Sequence, residues 1–229
     1  MSLKPSQILD YLYDSRKIII DMLNYRGFNI DNYSSYTKDE LNTLFEKTNS
    51  KISVSDVVGP LDILVEKKNE NNETEQLFIK YRLDKFKKTK SQEQQILDIY
   101  TNIIKKEDTL LLIYLDDIKF KPTKKESNVE LFIDDIYITY GYFIQLFGIR
   151  NLLFNVMDHY TVPEHVIINK KEQEELFIKF NIKENSNYPT IRREDPVAKM
   201  IGLKPGDICK IKKPTSSNIY SYTYRLCTM

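Results

Sequence analysis

The chain has 229 residues, 41% of them hydrophobic and 12% aromatic, enough for one large core or two modest ones, and two domains are expected. Its 34 Lys plus Arg stand against 33 Asp plus Glu, a formal charge of +1 that offers no whole-chain attraction to nucleic acid or membrane. The longest apolar runs, such as DTLLLIYL and NLLFNV, fall short of the roughly 20 residues of a membrane-spanning helix, and the opening MSLKPSQILD reaches charged residues too soon to read as a signal peptide.

Two cysteines, Cys209 and Cys227, are too few for a disulfide framework and lack the paired spacing of a zinc site, which points to a reduced, intracellular protein. Free use of Lys, Asn, Ile and Tyr, with no Trp, has the flavour of an AT-rich genome.

Residues 6–26 read as an amphipathic helix: Ser6 is a candidate cap, Ile8, Leu9, Leu12, Ile19, Met22 and Leu23 recur at helical spacing, and Gly27 can end it. A second helix begins at TKDEL, where Thr37 and Glu40 have capping-box spacing. After Gly59-Pro60 the period changes. LDILVEK and LFIKYRL alternate as half-buried strands do, with the polar NENNETE as a hairpin-type loop. Ser91 with Gln94 reads as another capping box, and the helix it opens leads to TLLLIYL, a strand apolar enough for the inside of a sheet. KFKPTKKESN is then a charged loop. Residues 131–158 mix aromatic, β-branched and helical stretches, and periodicity leaves helix and strand both open there.

The domain boundary is placed at residues 158/159, giving an N-terminal α/β domain, 1–158, and a small α+β domain, 159–229. From Tyr160 onward there are 12 basic against 8 acidic residues, so the chain is mildly polarised. Here NKKEQEELFIKFNI is a charged helix with an apolar edge at Leu176, Phe177 and Phe180, and ICKIKK and IYSYTYRLC are strands around PTSSN.

The stretch DPVAKMIGLKPGDICKI is the most legible. Asp195 is a good helix N-cap and Pro196 suits the first helical position. Val197 and Ala198 continue the helix, Gly202 can stop it in the left-handed conformation, and Leu203 follows. Pro205 and Gly206 stand where a type II turn wants them, Asp207 closes the turn, and a strand leaves. Every polar residue has a structural job, which suggests a rigid module for assembly rather than catalysis.

YPTIRREDPVAKMIGLKPGDICKIKKP, with YSYTYRLC after it, closely resembles the C-terminal domain of the fifth subunit shared by eukaryotic DNA-directed RNA polymerases, a family that includes an archaeal counterpart. That family has a Leu/Tyr-Pro-x-Ile start, an Asp-Pro-Val-Ala helix, a Gly-Leu-Lys-x-Gly-Asp/Glu turn and a final Tyr-Arg strand. NVMDHYTVPEH resembles the family's domain junction and brings in His159, Val162, Pro163 and His165. LYDSRKIIIDMLNYRGFNI resembles the first helix of the eukaryotic form, whose added jaw domain has a restriction-endonuclease-like fold. One departure is the last hairpin, PTSSNIYSYTYR, which lacks the Gly-Arg pair common in the family.

The resemblance implies a non-catalytic subunit that uses no cofactor or metal of its own. Its C-terminal domain would dock on the largest polymerase subunit and neighbouring small subunits through Asp195, Pro196, Val197, Ala198, Gly202, Leu203, Gly206, Asp207, Tyr222, Tyr224 and Arg225. The N-terminal domain would form the lower jaw beside downstream duplex DNA, which it would hold without sequence preference. The loop Lys119, Lys121, Pro122, Thr123, Lys124 and Lys125 falls where the family has a DNA-proximal Thr-Pro-Ser-Ala loop; its lysines, and the six basic residues of KYRLDKFKKTK, would meet phosphates through salt-sensitive attraction. No membrane partner and no homo-oligomer are implied. The setting would be the nucleus for a cellular gene, or the cytoplasm or virion for a cytoplasmic large DNA virus.

Two other classes remain. PLDILVEKK puts Asp62, Leu64, Glu66 and Lys68 on one side of a strand, with Lys80 on the next, and carboxylates near a lysine can bind a divalent ion for phosphodiester cleavage. Such nucleases draw the acidic pair and the lysine from two adjacent strands, and LFIKYRL has no acid two residues before Lys80; the alternative for these residues is a strand's exposed polar face. A free-standing transcription adaptor is the other class. His159 and His165, six residues apart, have no third ligand in sequence and read as structural. Cys209 reads as a core residue and Cys227, near the end, as a candidate for exposure; no oxyanion or orienting motif accompanies either as a nucleophile. GLKPG lacks the spacing of a phosphate loop.

Overall fold

A computed structural model describes residues 5–33, 36–50, 59–68, 72–82, 86, 88–115, 128–181, 188–215 and 219–229. The chain divides into two compact units, residues 1–154 and 155–229. Both are mixed α and β.

The first unit opens with α1, Pro5–Tyr25, which buries Leu12, Ile19, Met22 and Leu23 along one stripe. The helix starts at Pro5, so Ser6 falls within its first turn; a proline's fixed φ suits that opening position. Gly27, at φ +77°, ends the helix, and the Phe28 N–H closes back on the Leu23 carbonyl. Helix α2, Lys38–Ser50, starts with the expected reciprocal cap: the Glu40 N–H donates to Thr37 Oγ1 at 3.3 Å and the Thr37 N–H to Glu40 Oε2 at 2.8 Å.

Strands β1 (Ile63–Lys68), β2 (Thr74–Arg82), β3 (Thr109–Tyr114) and β4 (Phe143–Gly148) form one sheet in chain order. The β1–β2 hairpin is antiparallel, whereas β2–β3 and β3–β4 are parallel and need crossovers. Helix α3 (Lys90–Asn102) makes the first and α4 (Asn128–Tyr140) lies within the second. All six residues of β3 are buried, as an interior strand covered on both faces requires. On one face Phe78, Leu110, Leu112, Tyr114, Ile144 and Leu146 pack against Ile96, Ile99 and Tyr100 of α3 and Phe132, Ile133 and Ile136 of α4. Against the other face lies α1, with Ser15 Oγ 3.4 Å from the Tyr81 hydroxyl and the Arg26 guanidinium donating to Gln145 Oε1 at 2.9 Å.

Two expectations change here. The cap of α3 is Thr89, whose Oγ1 accepts from the Gln92 N–H, and Ser91 falls in the first turn, because extended backbone at Thr89 already turns its side chain onto the free N–H groups. The ambiguous stretch 131–158 resolves into α4, β4 and two short 3-10 turns, Ile149–Leu152 and Val156–Asp158. Gly141, at φ +76°, separates helix from strand.

The second unit holds β5 (Glu164–Ile167), α5 (Lys170–Phe180), β6 (Thr190–Arg192), α6 (Pro196–Ile201), β7 (Ile208–Pro214) and β8 (Tyr220–Thr228), with sheet order β5-β7-β8-β6. β7 pairs antiparallel with β5 and β8, and β6 runs parallel to β8. Side chains alternate across this sheet into two small cores. Ile191, Cys209, Ile211 and Cys227 on one face meet Ala198, Ile201 and Leu203. On the other, Ile208, Tyr224 and Leu226 meet Ile168, Leu176, Phe177 and Tyr188.

Candidate docking module in the C-terminal unit

The segment from Asp195 to Ile211 folds as its residue types require. Asp195 Oδ1 accepts from the Val197 and Ala198 N–H groups at 2.9 and 3.3 Å, and Pro196 takes the position where no N–H is needed. At the other end Gly202 stands at φ +78°, with its N–H on the Lys199 carbonyl and the Leu203 N–H on the Ala198 carbonyl. This is a Schellman closure, and its accompanying apolar contact is Ala198 with Leu203, both fully buried.

The next turn, Lys204 to Asp207, carries Gly206 at φ +94° and is closed by the Asp207 N–H on the Lys204 carbonyl at 3.0 Å. The Asp207 carboxylate accepts in return from the Lys204 N–H at 2.9 Å. Gly206 donates its N–H to Cys227 O and Asp207 receives the Cys227 N–H, so the turn is fastened to the last strand. The turn that follows the six-residue helix is thus tied to β8.

The residues singled out for docking do not form one patch. Ala198 and Leu203 are interior, Asp195 and Asp207 are half-buried and hold turns, and Pro196 and Gly206 are exposed. Tyr222 and Tyr224 lie on the sheet face opposite the α6 core, because Cys209 and Ile211 of that core pair with Arg225 and Thr223 instead. Of the three β8 residues only Arg225 shares the α6 side. Tyr222 is 52% exposed, with the Lys210 ammonium over its ring.

The junction residues hold local bonds. His165 lies in β5, buried, with Nδ1 donating to Pro163 O at 2.6 Å, and is paired with Ile211. His159 is exposed; its Nδ1 accepts from the Thr161 N–H and lies 2.8 Å from Thr161 Oγ1, while Val162 donates its N–H to the His159 carbonyl. Cys227, expected as a candidate for exposure, is 2% exposed, because its strand passes between β7 and β6. Burial pushes the Cys209 thiol up to about 11 and the Cys227 thiol up to about 12, so neither is a poised thiolate.

Sequence reasoning missed a buried charge cluster beside the module. Glu194 lies 2.8 Å from Arg193 Nε and 3.4 Å from Arg192 Nε. Lys199, in α6, is buried, and that burial pushes its ammonium down to about 7 against the pull of Glu194. The signal lay in the helix itself: Lys199 stands among Ala198, Met200 and Ile201, the run of α6 that is buried.

In the N-terminal unit Asp62 precedes β1 rather than lying in it, and it is not part of an exposed polar face. Its carboxylate accepts from the Gly59 N–H at 2.6 Å and the Tyr81 N–H at 3.3 Å, and Lys80 Nζ stands 3.3 Å away. Burial pushes the Asp62 carboxyl up, with the Lys80 charge opposing it. Leu64, Glu66 and Lys68 are exposed as the alternation demands. Among the described residues no group of three or more His, Cys, Asp or Glu is arranged to hold a metal ion. The lysine loop 119–125 lies outside the described residues, as does part of KYRLDKFKKTK.

The module and its sheet are matched by the family profile "RNA polymerase Rpb5, C-terminal domain" over residues 154–227. DNA-directed RNA polymerase subunit Rpo5 of Thermococcus kodakarensis is 44% identical over 73 residues, 32% of this chain and 88% of that protein. The chain belongs to this polymerase subunit family. The Rpo5 of Thermococcus onnurineus is 42% identical over the same length. The similarity extends upstream in the DNA-directed RNA polymerases I, II, and III subunit rpabc1 of Dictyostelium discoideum, 33% identical over 128 residues, 56% of this chain and 62% of that protein. The family profile therefore begins at the residue before the second compact unit and takes in nearly all of it.

Proposed function

We propose that the chain works as a non-catalytic subunit of a multisubunit DNA-directed RNA polymerase, anchored by its C-terminal unit to the largest subunit and neighbouring small subunits. The observation that carries this reading is the coincidence of the family match with a compact structural unit in which Asp195 and Asp207 are spent on a helix cap and a turn. A module so built offers a fixed shape rather than a reactive group. Anchoring falls to its exposed parts, Pro196, Gly206 and the Tyr222 side of β8, with Ala198 and Leu203 maintaining the shape from inside.

The N-terminal unit is the proposed lower jaw beside downstream DNA. A mixed sheet with helices on both faces is compatible with a restriction-endonuclease-like jaw, and Lys119, Lys121, Lys124 and Lys125 put four cations within seven residues of sequence for phosphate contact. The proposed setting is the nucleus for a cellular gene.

The test is affinity purification of the tagged chain from its host with identification of what accompanies it, beside an Asp195→Lys, Gly202→Glu variant. The large polymerase subunits are expected with the unaltered chain alone. Their absence from both would overturn the reading.

A further inference from the structure

The last strand is longer than its neighbour. β8 runs from Tyr220 to Thr228, yet β6 pairs only with Leu226–Thr228. Pro189, just before β6, accepts the Leu226 N–H through its carbonyl but has no N–H of its own to continue the ladder. Among the described residues no strand pairs with the outer side of Tyr220–Arg225, where the Arg225 guanidinium donates to the Thr190 carbonyl at 3.5 Å.

The alternation of an antiparallel ladder shows which backbone groups this leaves open. The Cys227 N–H points inward to Asp207 O and the Leu226 N–H outward to Pro189 O. Successive residues alternate, so Tyr224, Tyr222 and Tyr220 also turn their N–H and C=O outward, away from β7. Folds ordinarily protect such an edge with proline, a bulge or an inward charge, and none interrupts Tyr220–Tyr224.

Side chains around the edge differ by face. Tyr220 and Tyr222 are 57% and 52% exposed on one side, backed by the ammoniums of Lys212 and Lys210 at 4.4 and 5.1 Å from the ring centres. Those two lysines are already paired with Glu164 and Glu172. On the other side stand Arg225 and Lys213, for which no ion pair is found among the described residues. From Ile208 to Met229 the chain has four cations and no acid. The edge therefore wants hydrogen bonds along its length, apolar contact on the tyrosine side and negative charge on the other.

We propose that β8 is the acceptor for strand addition: an extended segment of another polymerase subunit pairs with the outer edge of Tyr220–Arg225, its residues alternating between apolar ones over Tyr220 and Tyr222 and carboxylates toward Arg225 and Lys213. Main-chain bonds give the hold and the alternation gives the selectivity. This rests on the anchoring reading above and gives that anchor its chemistry.

Amide hydrogen exchange, resolved to single residues, on the free full-length chain and on the chain within purified polymerase tests it. The amides of Tyr220, Tyr222 and Tyr224 are expected to slow by at least about tenfold on assembly, while those of Ser221 and Thr223, already bonded to β7, are slow in both. Tyr222→Pro removes the outward N–H together with the ring, at a position where edge strands tolerate proline, and is expected to lower co-purified large subunit by about tenfold, well beyond Tyr222→Ala, which removes the ring and keeps the N–H; Arg225→Glu lowers it less, more so at low salt. If Tyr222→Pro disturbs the fold, the exchange pattern of the unaltered chain decides. Polymerase that co-purifies while the three tyrosine amides exchange as in the free chain overturns strand addition and leaves the anchoring reading standing. A chain that brings no polymerase overturns both.

Discussion

Lys80 reaches Asp62 across the β1–β2 hairpin, 3.3 Å from Nζ to Oδ2, with 13% and 3% of their side chains exposed. The same carboxylate fixes the Gly59 turn and the Tyr81 N–H, so it is a strut of the hairpin's open end. Holding a metal ion there would mean dismantling these contacts. Asp62→Ala strips two N–H groups of their acceptor and takes a carboxylate from a mostly buried ammonium. A loss of about 3 kcal/mol in urea unfolding is expected, and Asp62→Ala with Lys80→Met should lose clearly less than the sum of the single changes. Additive losses would show that the pair does not interact.

Gly206 holds φ +94° where an added Cβ would meet nothing within 4 Å. The cost of Gly206→Ala is therefore backbone strain alone, about 1–2 kcal/mol, and Gly206→Asn should lose less because asparagine tolerates that region better. The chain's two cysteines are both buried in the C-terminal unit, so pulse labelling of thiols in denaturant reads that unit's stability within the whole protein. A greater loss for Asn than for Ala would mean that space rather than φ governs the site.

Asp195 is the only side chain that satisfies the opening N–H groups of α6 among the described residues, accepting from both Val197 and Ala198. Asp195→Ala should lower the stability of the C-terminal unit by about 1–2 kcal/mol by the same labelling, with Asp195→Ser recovering most of it. A charge effect rather than a cap would leave the Ser variant as weak as Ala.

What could be read before the structure follows from how local each signal is. Asp195, Pro196, Gly202 and Gly206 act on their own backbone, and their roles were legible from residue type alone. Thr37 and Glu40 were legible for the same reason. Strands β5 and β6, of four and three residues, have no periodicity to read, and their places come from pairing with β7 and β8. The ion cluster at Arg193, Glu194 and Lys199, the Asp62–Lys80 pair and the open edge of β8 are properties of which strand lies beside which. Family resemblance supplied the functional class; it named Tyr222 and Arg225 together although they stand on opposite sheet faces.

Lys199 gives the C-terminal unit a definite pH response. Its ammonium titrates near 7 in the folded chain against an ordinary 10.5, burial being the main cause and Glu194 opposing it. Between those values the unfolded chain binds a proton that the folded chain does not, so stability rises with pH from about 7. The thiols of Cys209 and Cys227 act in the opposite sense. Their folded values are raised to about 11 and about 12 from an ordinary 9.0, so above about pH 9 the folded chain keeps protons that the unfolded chain releases, and their contribution is lost as pH rises. Stability by denaturant titration with thiol labelling at fixed pH should therefore climb from pH 7 and flatten or turn over near 9. Lys199→Met removes the climb and, with Arg192 and Arg193 still beside Glu194, should raise stability at pH 7 by about 1 kcal/mol or more. A profile flat from pH 7 to 9 in the unaltered chain, or unchanged by Lys199→Met, would show that Lys199 keeps its proton when folded.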